Sequence, residues 1–345
     1  MEEEKYLEYQ LIETEQKILS NLSSYKIDYV PIKTDFGTDE KVWTLSLNTK
    51  SPNTPLVMLH GFAAGIGFWC LNFEPLAKDR PVYAIDVLGF GRSSRPKFSK
   101  DSDEAERQMV DALEAWRKQM KLEKIILLGH SMGAFLSASY AISYPQAVEH
   151  LIFADAWGFS DKYENPPLLL KIIAFMFGRF NPLGFIRSLG PYWGPLLLQK
   201  TRRDVFGNFA KVVKDDAILP KYIYLCNALE NRTGERAFIS MVLGVGWAKS
   251  PIVKRISNLK ESIPLTFMYG SHSWMDKEMA PRIKAMRPNS YVDIEIIQNA
   301  GHHIYSEQAD VFNEIVIRTC KTVDQRIAQS KKTTSKLDHN ENKSH

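Results

Sequence analysis

The chain has little cysteine: Cys70, Cys226 and Cys320 are the 3 in 345 residues. Three scattered thiols build neither a disulfide framework nor a Cys-rich zinc site, and they suit a reducing compartment. Also missing is any run of about 18 uncharged apolar residues, so no transmembrane helix is expected. The most apolar stretch, residues 166–200, is broken by Lys171, Arg179 and Arg187 and by several Pro and Gly. The N-terminal MEEEKYLEYQLIETEQK is acidic where a targeting peptide is basic, and it lacks an apolar core, so secretion is not expected. The sequons at Asn21 and Asn231 then count as chance matches. The histidines show no H-E-x-x-H or other ligand spacing, so neither metal nor cofactor is expected. An excess of one charge is missing too: 44 Lys+Arg stand against 40 Asp+Glu, and a net +4 is too small to argue for nucleic acid.

With 44% hydrophobic and 24% charged residues, the composition is that of an ordinary globular protein with a sizeable core. Residues 1–24 place Leu7, Leu11, Ile18 and Leu22 at helical spacing and predict an amphipathic helix that packs on the domain or a partner. From 25 to 159, short β-branched runs alternate with helical stretches. Strands are expected at Ile27–Pro31, Val42–Leu47, Pro55–Leu59, Val82–Ile85, Lys124–Leu128 and His150–Ala154. Helices are expected around Arg107–Met120 and Met132–Ser143. That alternation means βαβ units and a mostly parallel, doubly wound sheet. Residues 160–255 lose the strand pattern and read as a helical cap. The sheet resumes over 256–325 with Leu265–Tyr269, Val292–Ile297 and a closing helix Gln308–Thr322. The last segment, 326–345, is polar and reads as a disordered tail. A helical block inserted between late strands of a parallel sheet is the layout of an α/β hydrolase with a cap.

The chemistry concentrates at Gly129-His130-Ser131-Met132-Gly133, between an apolar strand and an Ala- and Leu-rich helix. A Gly-x-Ser-x-Gly in strand–turn–helix context is a nucleophile elbow: the serine sits on a strained turn and glycines relieve the crowding. Ser131 is the expected nucleophile. His60-Gly61-Phe62 follows the strand Pro55–Leu59, where an oxyanion-hole loop belongs, so the N–H groups of Phe62 and Met132 are the expected donors. His60 itself suits a structural hydrogen bond. The chain order of the triad on this fold is Ser, acid, His. His302 in Asn-Ala-Gly-His is the expected base, with its neighbour His303 as rival. Asp276, in the loop after Leu265–Tyr269, is the expected acid, with Glu278 and Asp155 as rivals. The glycine-rich Asp86–Pro96 segment matches no phosphate-binding fingerprint and reads as a structural loop anchored by Asp86.

Charge is unevenly spread. Residues 1–20 hold six Glu and two Lys, whereas 160–255 hold fifteen Lys+Arg against seven Asp+Glu. A basic cap that also carries the apolar run 168–180 suits docking on an anionic lipid surface, with Lys171 and Arg179 as membrane contacts.

The stretches KVWTLSLN, PLVMLHGFAAGIGFWCLNFEPL, RPVYAIDVLGFGRSSRP, GHSMGAFLSASYAISYP and VEHLIFADAWGF, with FNPLG, GVGWAK, RPNSYV and AGHHIYSEQADVFNEI, resemble the subfamily of alpha/beta hydrolase domain-containing proteins 4 and 5. The resemblance spans about residues 25–324. It implies a serine lipid hydrolase acting on acyl bonds of glycerophospholipids, such as N-acyl phosphatidylethanolamines and their lyso forms. It also implies peripheral contact with lipid droplets or intracellular membranes from the cytoplasm, the mitochondrion being a further address. The alternative it carries is a lipid-droplet regulator that partners a triacylglycerol lipase or a droplet-coat protein, with lysophosphatidic acid acyltransferase activity. That branch has Asn at the nucleophile; here the residue is Ser131. Three positions depart from the family pattern: Ala134 stands for the second glycine after the elbow, His272 for an arginine before the acid, and Glu307 for the Asp of a His-x4-Asp pattern on which the acyltransferase assignment leans.

Overall fold

The computed structural model describes residues 2–37, 39–161, 181–229, 231–244 and 246–341. Eight strands form its main sheet: β1 (Lys26–Ile32), β2 (Glu40–Leu47), β3 (Leu56–Leu59), β4 (Val82–Ile85), β5 (Ile125–His130), β6 (Val148–Ala154), β7 (Leu265–Gly270) and β8 (Val292–Ile297). Their spatial order is β1-β2-β4-β3-β5-β6-β7-β8. The β1–β2 and β2–β4 pairs are antiparallel and all others parallel. The order reverses around β3, where loops from neighbouring strands diverge and leave a crevice at the carboxyl ends.

The strands are apolar on both faces because both faces are covered. Val57, Leu59, Leu127, Phe153 and Phe267 enter one core; Leu56, Met58, Leu128, Ile152 and Met268 enter the other. That alternation is the period of two. Helix α2 (Ser102–Gln119) starts on an Asp101 cap that accepts from the N–H of Asp103 and Glu104, and it packs on the first face with α3 (Met132–Ser143). The closing helix α8 (Ala309–Glu341) lays Phe312, Ile315, Val316, Cys320 and Val323 on the second face. It continues through Glu341, past the expected start of a tail at 326. Residues 326–341 carry no Gly or Pro, so nothing local stops the helix.

Between β6 and β7 the described residues form helices α4 (Pro182–Ser188), α5 (Gly190–Thr201), α6 (Ile218–Ala228) and α7 (Thr233–Met241). Asn181 caps α4 by accepting from Gly184 N–H, with Pro182 at the first turn, where a missing donor costs nothing. The Asn181 amide also donates to Glu235, which pairs with Arg187 at 2.7 Å. This network, anchored on the buried Glu235, ties α4 to α7. The cap meets the core at Gly89 and Gly234, where a Cβ on Gly234 would stand 2.6 Å from the Gly89 carbonyl oxygen. Among the described residues no helix is long and apolar enough to cross a membrane.

The N-terminal helix α1 (Glu2–Leu19) buries Leu11, Thr14, Glu15, Ile18 and Leu19 on one stripe against α6 and the 66–69 turn. Sequence periodicity did not anticipate a buried acid on that stripe. Glu15 pairs with Arg92 at 2.9 Å and accepts from Trp43 Nε1 at 2.9 Å, while the Arg92 guanidinium lies 3.5 Å over the Trp43 ring. Burial, reinforced by the charge on Asp86 and opposed by Arg92, raises the Glu15 pKa to about 7 from an ordinary 4.5. Between those values the folded chain holds a proton that the unfolded chain does not. The stabilising contribution is therefore fully present below 4.5 and is lost as pH rises through 7. Thermal midpoints taken at about pH 5 and about pH 8 should fall less in Glu15→Gln than in the natural chain; equal falls would remove Glu15 as the titrating group.

Candidate active site

Ser131 sits between β5 and α3 with φ 52° and ψ −114°, a conformation that costs a non-glycine residue roughly 1–3 kcal/mol. Its neighbours make this possible. A Cβ on Gly129 would stand 2.2 Å from the Gly133 carbonyl oxygen, and one on Gly133 would stand 2.4 Å from the Leu59 carbonyl oxygen. Both obstructing atoms are backbone, so only glycine fits either side of the turn. Ser131 itself is held by its N–H to Ala154 O at 3.0 Å, and its carbonyl receives Ala134 N–H at 3.0 Å. Helix α3 begins at Met132, whose N–H is among the first four with no intrahelical acceptor.

The loop after β3 passes directly over this turn: a Cβ on Gly61 would lie 3.2 Å from Ser131 Cβ. His60 and Asp86 fix the loop's path. His60 Nε2 accepts from Val87 N–H at 3.0 Å, so Nδ1 carries the proton and donates to Gly61 O at 2.7 Å. Asp86 accepts from Ile66 N–H and Arg92 N–H, both at 2.8 Å. Both residues thus join the β3 and β4 loops, the structural part that their sequence context suggested.

The loop that carries His302 follows β8. His302 Nδ1 lies 2.5 Å from Asp155 Oδ2. A carboxylate only accepts, so Nδ1 carries the proton and Nε2 is left as the acceptor. Asp155 is at the end of β6, fully buried, with φ 47°. It also receives Ser273 Oγ–H at 2.5 Å and Gly270 N–H at 3.2 Å. Three donors converge on it, as a buried carboxylate requires. The His302 side chain is 17% exposed and that of Asp155 0%, so the imidazole is reachable from the crevice and the acid is sealed behind it.

At the acid the structure departs from the sequence expectation. Asp276 does not face His302: its Oδ2 accepts from Ser160 Oγ at 2.8 Å and its Oδ1 from Glu278 N–H at 3.2 Å. The loop after β7 turns back at Gly270–Ser273, through Ser273 N–H on Gly270 O, and presents the Ser273 hydroxyl to Asp155. By residue 276 the chain has reached the start of the cap. Asp155, weighed in the sequence as a rival, is the acid in contact. His303, the rival base, turns its Nδ1 to Tyr305 Oη at 3.1 Å, and burial, followed by the charge of His302, holds its pKa well below the usual value. Ser273 had no signal of its own beyond lying in the loop after β7.

An aromatic wall rises over the elbow. Trp157 N–H reaches Ser131 O at 3.3 Å, and its ring lies 4.7 Å from Phe238 of α7, which stacks on Phe62 at 4.5 Å. The cap therefore supplies part of the site. Lys171 and Arg179 lie outside the described residues. Among the described residues no group of three His, Cys, Asp or Glu could hold a metal ion.

The alpha/beta hydrolase fold family matches residues 54–309. The chain is 42% identical to the (Lyso)-N-acylphosphatidylethanolamine lipase of Homo sapiens over 323 residues, covering 91% of this chain and 92% of that one. It is also 42% identical to the 1-acylglycerol-3-phosphate O-acyltransferase ABHD5 of Mus musculus over 322 residues, with 91% and 90% covered. In fold it is similar to a membrane phospholipase A described as a bacterial virulence factor, at a TM-score of 0.65 and 18% identity, with 92% of each chain covered. The carboxylesterase CesB of Bacillus subtilis follows at a TM-score of 0.63 and 16% identity, with 92% and 98% covered. On the sheet order, the elbow and these likenesses, the chain belongs to the alpha/beta hydrolase fold family, in its subfamily of alpha/beta hydrolase domain-containing proteins 4 and 5.

Proposed function

We propose that the protein is a serine hydrolase that cleaves acyl bonds of glycerophospholipids, of the kind its (lyso)-N-acylphosphatidylethanolamine lipase relatives are named for. The observation that carries this reading is the buried Asp155 on His302 Nδ1, beside a strained Ser131 elbow. Ser131 Oγ attacks the acyl carbonyl and its proton passes to His302 Nε2. Asp155 holds the imidazole in the required tautomer and stabilises the imidazolium. The tetrahedral oxyanion is held by the Phe62 and Met132 N–H groups, the latter at the positive end of α3. Collapse expels the amine or alcohol, which takes the proton from His302; a water then repeats the sequence and frees the acid and Ser131. The wall of Phe62, Trp157 and Phe238 suits an acyl chain.

The substrate resides in a lipid surface, so the protein works peripherally on intracellular membranes or lipid droplets. Exposed Phe185, Tyr192 and Trp193 on α4 and α5 support that placement, because aromatic rings favour the membrane interface. The test is incubation of purified protein with N-acyl phospholipids, lysophospholipids and monoacylglycerols, products being read by mass, alongside fluorophosphonate labelling. Released fatty acid that disappears in Ser131→Ala is the expected result. Equal labelling of the natural chain and Ser131→Ala would end the serine-hydrolase reading.

A further inference from the structure

The loop that carries His302 is gripped from behind by one carboxylate. Gly301 N–H donates to Glu307 Oε2 at 2.5 Å, and His303 N–H donates to Glu307 Oε1 at 3.0 Å. The two amides flank His302, so both oxygens of Glu307 are spent on the residues either side of it. Gly301 leaves room for the approach: a Cβ there would sit 3.2 Å from Oε2 and 3.3 Å from Oε1. The reach is set by a single helical turn, Ile304–Glu307, in which Glu307 N–H returns to His303 O at 2.9 Å. Between those two amides, the His302 carbonyl lies 2.9 Å from His130 Nε2. A carbonyl only accepts, so His130 carries its proton on Nε2. Burial, followed by the charge of His302, holds the His130 pKa well below the ordinary value and keeps that ring neutral. The N–H of 301, the C=O of 302 and the N–H of 303 thus each meet a side chain, and the imidazole that leaves this frame meets Asp155.

We infer that Glu307 is a positioning residue for His302: the carboxylate of the His-x4-Glu motif holds the base-bearing loop through its backbone amides and takes no part in making or breaking bonds. Its two oxygens are occupied by the loop. A base displaced by about 1 Å loses rate on the order of a hundredfold, so the grip matters without touching substrate. An Asp at this position has the same two oxygens on a stem one methylene shorter. The inference rests on the proposed part of His302 as general base.

The test uses the full chain with Glu307→Ala, Glu307→Asp, His302→Ala and the double variant Glu307→Ala/His302→Ala. Hydrogen–deuterium exchange over residues 299–306 reads the grip itself, and hydrolysis and fluorophosphonate labelling read its consequence. In Glu307→Ala the Gly301 and His303 amides should exchange at least about tenfold faster. In the same variant kcat should fall about 10- to 100-fold with KM within about twofold. Glu307→Asp should recover part of both. In the His302→Ala background the loss of Glu307 should cost nothing further, because it acts only through His302. Unchanged exchange, an unchanged kcat with a freed loop, or a further tenfold loss on top of His302→Ala would each overturn the proposal. Should Glu307→Ala fail to fold, Glu307→Gln, which keeps one acceptor oxygen, takes its place. Failure of the underlying reading shows separately, as equal labelling of the natural chain and Ser131→Ala; catalytic positioning then falls with it, whatever the exchange result.

Discussion

Replacing Asp155 with Asn should lower kcat by about 10⁴-fold while the fold and substrate binding stay intact; Asp276→Asn should leave kcat within about threefold of the natural chain. The contrast follows from the contacts. Asp155 accepts His302 Nδ1–H at 2.5 Å, and an amide there can present an N–H instead, which forces the imidazole into the wrong tautomer with its proton on Nε2. The nucleophile then has no acceptor. Asp276 has only Ser160 Oγ–H and Glu278 N–H as its partners among these hydrogen bonds, both of which Asn can largely reproduce. Steady-state kinetics of the two variants side by side, with circular dichroism to show both folded, decides between the acids. Near-normal kcat in Asp155→Asn together with a large loss in Asp276→Asn would reverse the assignment. A smaller loss in Ser273→Ala, of about tenfold, should accompany the large one, since Ser273 supplies one of three donors to the same carboxylate.

The second large effect is on the elbow's backbone. Gly133→Ala should cost about 3 kcal/mol of stability, the upper part of the usual range for overpacking. The added methyl would stand 2.4 Å from Leu59 O and 2.8 Å from His60 O. Side chains can rotate away from such a clash, but these are carbonyls of β3 and its loop, which pairs β3 with both β4 and β5. Relief therefore requires α3 to move off the sheet, carrying Met132 N–H and Ser131 out of register with Phe62. The variant should show a lowered unfolding midpoint and lost labelling together, unlike Asp155→Asn, which should lose rate at an unchanged midpoint. A Gly133→Ala protein as stable and as reactive as the natural one would show that the turn has slack these distances do not leave.

How much of this was legible depended on range. Strand ends, the elbow and the small-residue loop after β3 are local: each is written in a run of ten or so residues whose periodicity, β-branching and glycine placement act through their own backbone. Hence Val82–Ile85, Met132–Ser143 and Val292–Ile297 are found where the sequence places them, and Ser131 falls at the turn. The closing helix outruns its apolar pattern beyond residue 325, because the absence of Gly and Pro matters more there than the lack of apolar residues.

The acid shows what local information cannot reach. Asp155 and Asp276 both follow strands, both fall between Ser131 and His302 in chain order, and β6 and β7 are neighbours, with Ala154 opposite Met268. Two candidate loops therefore emerge within one strand spacing of each other, about 4.8 Å. Which carboxylate turns inward depends on the path each loop takes after the sheet, and that path is set by contacts such as Ser273 on Asp155 and Ser160 on Asp276. Glu15 is a similar case: its helical stripe was visible, but its burial depends on Arg92 arriving from a loop 77 residues away. The fold class and the place of Ser131 on the turn after β5 were readable from the residues alone, because strand and turn chemistry act over a few residues. Which carboxylate meets His302, where the N-terminal helix is pinned and what Glu307 holds were not readable there, because each rests on contacts made between separate loops and elements after the chain has folded.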